Sequence, residues 1–166
     1  MFTRAGIVGR PNVGKSTLFN CLLGRTRAIV GDFAGVTRDY KEELLELKNH
    51  QIKLIDTAGL KSSLITEQDK IINRHTLNLI NRLDVILFVL DGREGITHED
   101  REIFQVCRKL DKLTILVVNK VETIEIEQTF FQEDTSFFGL TNIIFVSSEH
   151  RIGIENVINA LLDICE

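Results

Sequence analysis

Gly9-Arg10-Pro11-Asn12-Val13-Gly14-Lys15-Ser16 forms a complete G-x-x-x-x-G-K-S phosphate loop. Residues 5–8, just before it, are a short apolar run that reads as a strand. Residues 15–24, just after it, read as a helix with Leu18, Cys21 and Leu22 on one face. Strand, Gly-rich turn and helix start are the context the motif needs. Consecutive backbone N–H groups and the positive helix end then favour a polyphosphate, and Gly14 lets the backbone come close. Lys15 suits the β- and γ-phosphate oxygens, and the Ser16 hydroxyl suits a Mg²⁺ ion.

Outward from this loop, short apolar runs alternate with segments of helical period. Two strands are expected near residues 43–47 and 52–55, with residues 25–41 polar and irregular between helix and strands. Ile72, Thr76, Leu79, Ile80 and Leu83 mark one side of a helix. Residues 85–90 (VILFVL) lack polar alternation, which suits a strand buried on both faces. Thr97 and Asp100 resemble a capping box that opens a helix with Ile103, Val106, Cys107 and Leu110 inward. Residues 113–118 read as a second buried strand, 125–138 as a helix, 143–146 as a last strand and 154–164 as a closing helix. The expectation is an α/β P-loop fold with a mostly parallel central sheet and helices on both faces. Ligands on such sheets sit at the C-terminal strand ends.

Two further motifs fall at those ends. Asp56-Thr57-Ala58-Gly59 follows the strand at 52–55, forty residues beyond Ser16. An aspartate there can hold Mg²⁺ through water, and the Gly59 N–H can sense a γ-phosphate. Asn119-Lys120-Val121-Glu122 follows the strand at 113–118. A carboxylate there faces the N1–H and 2-amino donors that guanine has and adenine lacks. Such charge-assisted bonds contribute about 1.5–3 kcal/mol, enough to choose the base. Asn119 would fix the loop and the N7 edge, with the Lys120 stem along the ring.

Composition sets the outer bounds. The chain has 166 residues, 43% of them apolar and 27% charged, so one domain with a real core is expected across residues 1–166. A net charge of −4 gives no footprint for wholesale coating of DNA or RNA, and no DNA partner is expected. The longest apolar run falls far short of the roughly 20 residues that span a membrane. No signal peptide is visible, and the chain reads as cytoplasmic. Cys21, Cys107 and Cys165 lack any CxxC pairing, and His50, His75, His98 and His150 lack metal-ligand spacing. Cysteines in the core and histidines at the surface are the ordinary reading.

The ordered set GRPNVGKS, DTAG and NKVE resembles a translation-factor-class GTPase. The finer wording, GRPNVGKSTLFN, AIVGDFAGVTRD, IDTAGL, ITEQ, DVILFVLDGREGIT and ILVVNKVE, is similar to the N-terminal G domain of the Der (EngA) family of bacterial ribosome-assembly GTPases. GVTRD and REGIT point to Der rather than Era or MnmE. The resemblance implies that Thr37 in Gly35-Val36-Thr37-Arg38-Asp39 ligates Mg²⁺ with Ser16 and Asp56. It implies that Ser147 and Ser148 offer backbone N–H groups to guanine O6. It also implies that Asn12 holds a K⁺ ion beside the phosphates, where charge develops during hydrolysis.

On this reading GTP or GDP is held by Gly9, Arg10, Pro11, Asn12, Val13, Gly14, Lys15, Ser16 and Thr17. Asp56, Thr57, Ala58, Gly59 and Leu60 complete the phosphate side. Asn119, Lys120, Val121 and Glu122, with Ser147 and Ser148, complete the base side. Asn12, Lys15, Thr37 and Gly59 are the candidate catalytic set, and residues 25–41 and 59–70 the switches. The implied partners are guanine nucleotide, the large ribosomal subunit and neighbouring domains of a longer protein, of which this chain would be the N-terminal piece.

Two positions depart from simple precedent. Leu60 stands where Ras-like enzymes orient water with a glutamine, so a nucleotide-gated interaction module with negligible turnover is the rival class. A P-loop ATPase is a second rival, disfavoured by Asn119 and Glu122. Glu122 replaces the family's usual aspartate and adds a methylene; guanine preference should survive with affinity reduced by up to about tenfold.

Overall fold

The computed structural model describes residues 2–25, 27–29, 40–57, 74–139 and 142–166. Its strands are β1 (Thr3–Val8), β2 (Arg27–Ile29), β3 (Lys41–Leu47), β4 (His50–Asp56), β5 (Val85–Asp91), β6 (Leu113–Asn119) and β7 (Ile143–Phe145). Its helices are α1 (Lys15–Arg25), α2 (Arg74–Asn81), α3 (His98–Lys109), α4 (Ile124–Phe131) and α5 (Ile154–Cys165).

The VILFVL run behaves as its composition demands. Every residue of β5 is buried, and the strand is hydrogen-bonded in parallel to β1 on one edge and β6 on the other. Its side chains alternate between two cores. Val85, Leu87 and Val89 pack with Leu18 and Leu22 of α1 and with Val157 and Leu161 of α5. Ile86, Phe88 and Leu90 pack with Ile80 of α2 and with Ile103, Phe104 and Cys107 of α3. Full burial of each such side chain is worth about 1.5–3 kcal/mol, so both helical layers are needed to cover the strand.

Among the described residues the sheet has seven strands in the order β2-β3-β4-β1-β5-β6-β7. β3 pairs antiparallel with both β2 and β4, while the pairs from β4 through β7 are parallel. The expected α/β architecture, mostly parallel with helices on both faces, is therefore present. At β1 the strand order reverses, and this switch point is where an open α/β sheet leaves its crevice.

The capping box at α3 forms as read. Thr97 Oγ1 accepts from Asp100 N–H at 3.1 Å, and Asp100 Oδ2 accepts from Thr97 N–H at 2.8 Å. Ile103 and Cys107 are buried, Val106 and Leu110 half-buried, and Phe104 joins the core beside them.

Two sequence expectations need correction. The helix expected over 125–138 stops at Phe131; Ser136–Phe138 is a separate 3-10 turn. Asp134 Oδ1 accepts from the Ser136 N–H at 3.0 Å and from its hydroxyl at 2.5 Å, drawing that N–H out of a helical ladder. Second, residues 25–41 are not wholly irregular, because Arg27–Ile29 adds β2 to the sheet edge opposite Leu44–Glu46 of β3. Of the helix stripe around Thr76, Ile72 lies outside the described residues, while Thr76, Leu79, Ile80 and Leu83 are buried. His98 and His150 are exposed and His50 half-buried; no side-chain description extends to His75.

Candidate functional site

The described parts of the motifs, residues 9–16, 56–57, 119–122 and 147–148, meet at the C-terminal ends of β1, β4, β6 and β7. β1 runs directly into the phosphate loop, whose backbone turns through Asn12 at φ 69° and Gly14 at φ 95°. Asparagine is among the few side chains that tolerate this region. Gly14 is required twice over, since a Cβ there would also lie 2.3 Å from Asn119 Nδ2.

Lys15 is buried inside the loop and donates to the carbonyls of Gly9 at 2.7 Å and Arg10 at 2.6 Å. Burial lowers its pKa to about 8, partly countered by the carboxylate of Asp56. An ammonium so poorly solvated gains strongly from an incoming anion. The Arg10 side chain points away from the loop, with Nη2 2.7 Å from Glu94 Oε2 and Nε 3.2 Å from Asp100 Oδ1. It ties the loop to the start of α3. Burial raises the Asp100 pKa despite the Thr97 bonds and the Arg10 charge.

On the phosphate side, Ser16 Oγ donates to Asp56 Oδ2 at 2.9 Å. A hydroxyl and a carboxylate brought together are hard oxygen donors, the set that Mg²⁺ takes. Thr57 Oγ1 donates to the Ile7 carbonyl at 2.6 Å and locks β4 to β1. Thr37, Ala58, Gly59 and Leu60, and both switch segments apart from Arg25, 27–29, Tyr40 and Lys41, lie outside the described residues.

On the base side, Asn119 is buried and bonded at both ends of its amide. Its Nδ2 donates to the Val13 carbonyl at 2.9 Å, and its Oδ1 accepts from Ser148 N–H at 3.0 Å. Nδ2 keeps a second proton for an N7 edge. Lys120, at φ 65°, donates to the Asn12 carbonyl at 2.7 Å and pairs with Asp91 Oδ2 at 2.9 Å. Burial would raise the Asp91 pKa, but the Lys120 bond and the N–H groups of Glu94 and Arg93 outweigh it and hold it below the ordinary range.

The Ser147 and Ser148 N–H groups both have acceptors within the protein, the Ile152 carbonyl at 2.9 Å and Asn119 Oδ1. The N–H donors that the resemblance offered to guanine O6 are thus already engaged. The hydroxyls of Ser147 and Ser148, by contrast, are buried with no hydrogen-bond partner among the described residues. Beside them a hollow of about 240 Å³ opens between α1 and the 147–151 loop, lined by Thr17, Asn20, Cys21 and Ser148 among others. Cys21 Sγ donates to the Ser148 carbonyl at 2.9 Å.

Glu122 does not stand free. Its carboxylate is forked by Arg93, with Nε 3.2 Å from Oε2 and Nη2 2.9 Å from Oε1. Glu149 and His150 also approach, the three ligand atoms lying within 4.8 Å of one another. Sequence reasoning missed Arg93, Asp91, Cys21 and the Arg10–Asp100 tie. Only the DGREG wording beside Asp91 hinted at any of them.

The profile of the 50S ribosome-binding GTPase family matches residues 4–120. The chain belongs to this family. Within it, this G domain is 38% identical over 168 residues to GTPase Der of Thermosipho melanesiensis, covering 95% of the chain and 38% of that protein. It is 40% identical to GTPase Der of Thermotoga sp. strain RQ2, covering 94% of the chain and 36% of that protein. The tRNA modification GTPase MnmE of Desulforamulus reducens is 38% identical over 91% of the chain and 32% of its own length. The chain thus spans about a third of the length of the curated relatives it matches.

Solved structures agree on the fold. The G domain of the Thermotoga maritima FeoB iron transporter superimposes with a TM-score of 0.71 at 27% identity, each chain fully covered. Elongation factor SelB of Methanococcus maripaludis, in complex with GppNHp, gives a TM-score of 0.75 at 20% identity, covering 98% of this G domain and 34% of that chain. No helix among the described residues of this chain is long and apolar enough to cross a membrane.

Proposed function

We propose that the chain binds GTP and GDP with Mg²⁺ and hydrolyses GTP slowly, as a nucleotide-driven switch serving ribosome assembly. The observation that carries this reading is the 2.9 Å contact between Ser16 Oγ and Asp56 Oδ2, which joins two motifs at one point beside a buried lysine. Ser16 and Asp56, with Thr37 by family resemblance, would hold the metal. When bound, it supplies positive charge against the β- and γ-phosphate oxygens.

Lys15 exchanges its two carbonyl acceptors for phosphate oxygens, and the loop amides and the start of α1 receive the rest of the charge. Water attacks the γ-phosphorus in line, and the bond to the β–γ bridging oxygen breaks. The pair Asn119 and Glu122 supports guanine as the base. Asn12, exposed at the crest of the loop, is the position for a K⁺ ion. Association with the large ribosomal subunit is supported by the family's description, and neighbouring domains by the greater length of the relatives named Der; a cytoplasmic location rests on the resemblance alone.

Single-turnover phosphate release with GTP and MgCl₂ tests the reading. Release should be faster in KCl than in NaCl, and lost in Lys15→Ala. Equal rates in both salts would remove the K⁺ role. Leu60 gives the rival reading, a nucleotide-gated interaction module, and no release above background in KCl would favour it. Excess ATP should fail to displace labelled GDP; displacement would overturn the guanine assignment.

A further inference from the structure

We infer that Arg93 is a displaceable latch on Glu122, occupying the carboxylate edge that a guanine base must use. The inference rests on the reading of Glu122 as the guanine-facing carboxylate. Arg93 presents two parallel N–H donors to both oxygens of Glu122, at 3.2 and 2.9 Å. Guanine presents the same pattern through N1–H and its 2-amino group. A carboxylate offers one edge on which two parallel donors can each meet an oxygen. Arginine and base are therefore competitors for Glu122.

The fold sets Arg93 in place. Asp91 at the end of β5 lies opposite Asn119 at the end of β6, and Gly92 N–H donates to the Asn119 carbonyl at 2.7 Å. Asp91 Oδ1 then accepts from Arg93 N–H at 2.8 Å and Glu94 N–H at 3.1 Å, a turn that sends the Arg93 side chain from beside the base loop. Glu149 lies near Glu122 and adds like charge, which favours a cation there.

Exposure identifies the moving partner. The Arg93 side chain is 61% exposed and that of Glu122 16%. The guanidinium can swing into water, while the carboxylate stays in the loop. An ion pair exposed on one side is weak, so the latch lowers affinity by about two- to fivefold and does not block the site.

Calorimetry with GDP and with inosine diphosphate, which lacks the 2-amino group, tests this in a double-mutant cycle. Arg93→Gln should tighten GDP binding by about two- to fivefold. The gain should vanish when Glu122→Gln is already present, because no carboxylate remains to be held. Tightening of equal size in both backgrounds, or none in the wild-type background, would overturn the latch. Glu122→Gln alone should collapse the preference for GDP over inosine diphosphate. If that preference survives, the guanine reading itself fails, a result separate from the Arg93 comparison.

Discussion

Asn119 Nδ2 bonds the Val13 carbonyl at 2.9 Å although 106 positions separate the two residues. With Oδ1 on the Ser148 N–H, one buried side chain joins the phosphate loop to both base loops. Asn119→Ala should therefore injure the fold as well as the ligand site. It leaves a buried carbonyl and a buried N–H without partners, at about 1–3 kcal/mol each. The urea midpoint and GDP affinity should fall together; an unchanged midpoint would show that the tie carries no stability.

Gly14 faces the same amide from the other side. In Gly14→Ala the Cβ would sit 2.3 Å from Asn119 Nδ2, on a backbone at φ 95° that L side chains rarely adopt. Strain of this kind costs about 1–3 kcal/mol and displaces Asn119. Equilibrium dialysis should find GDP binding abolished, and retention of wild-type affinity would contradict the geometry.

Shortening the carboxylate proposed to read the base separates reach from charge. Glu122→Asp removes one methylene and draws the oxygens back from Arg93. GDP binding measured by calorimetry should tighten, by up to about tenfold. Clear weakening would mean that the longer side chain suits this loop better.

Cys107 predicts an alkaline signature. Burial pushes its thiol up to about 12 from an ordinary value of 9.0. Between those values the unfolded chain has lost the proton and the folded one keeps it, so the contribution is intact below pH 9 and declines as pH rises toward 12. The fall in Tm between pH 8 and pH 10.5 should be smaller in Cys107→Ala than in wild type. At pH 8.5 iodoacetamide should modify half-buried Cys21 and Cys165 but reach Cys107 only in urea. Labelling of native Cys107 would sink the argument.

The parts legible in the sequence were those written in short-range chemistry. The phosphate loop, the unbroken run of β5 and the Thr97–Asp100 box each carry their signal within a few residues. The turn at 136–138 was equally local, in Asp134-Thr135-Ser136, but the spacing of the Phe130/Phe131 and Phe137/Phe138 pairs mimicked a helix. In the fold Phe130 belongs to α4, while Phe138 packs edge-on to Phe104 at 4.7 Å. Arg93 on Glu122 and Arg10 on Asp100 are different in kind. Each depends on which strand ends lie side by side, and no window of sequence contains both partners.

β5 is sealed on two edges by hydrogen bonds and on two faces by side chains. Its amides have no route to solvent short of taking the whole sheet apart, so they should be the slowest in the chain to exchange for deuterium. A scaffold this stiff cannot relay a chemical event by bending. On the proposed reading, whatever the last phosphate of a bound nucleotide changes must be carried by parts of the chain other than this strand.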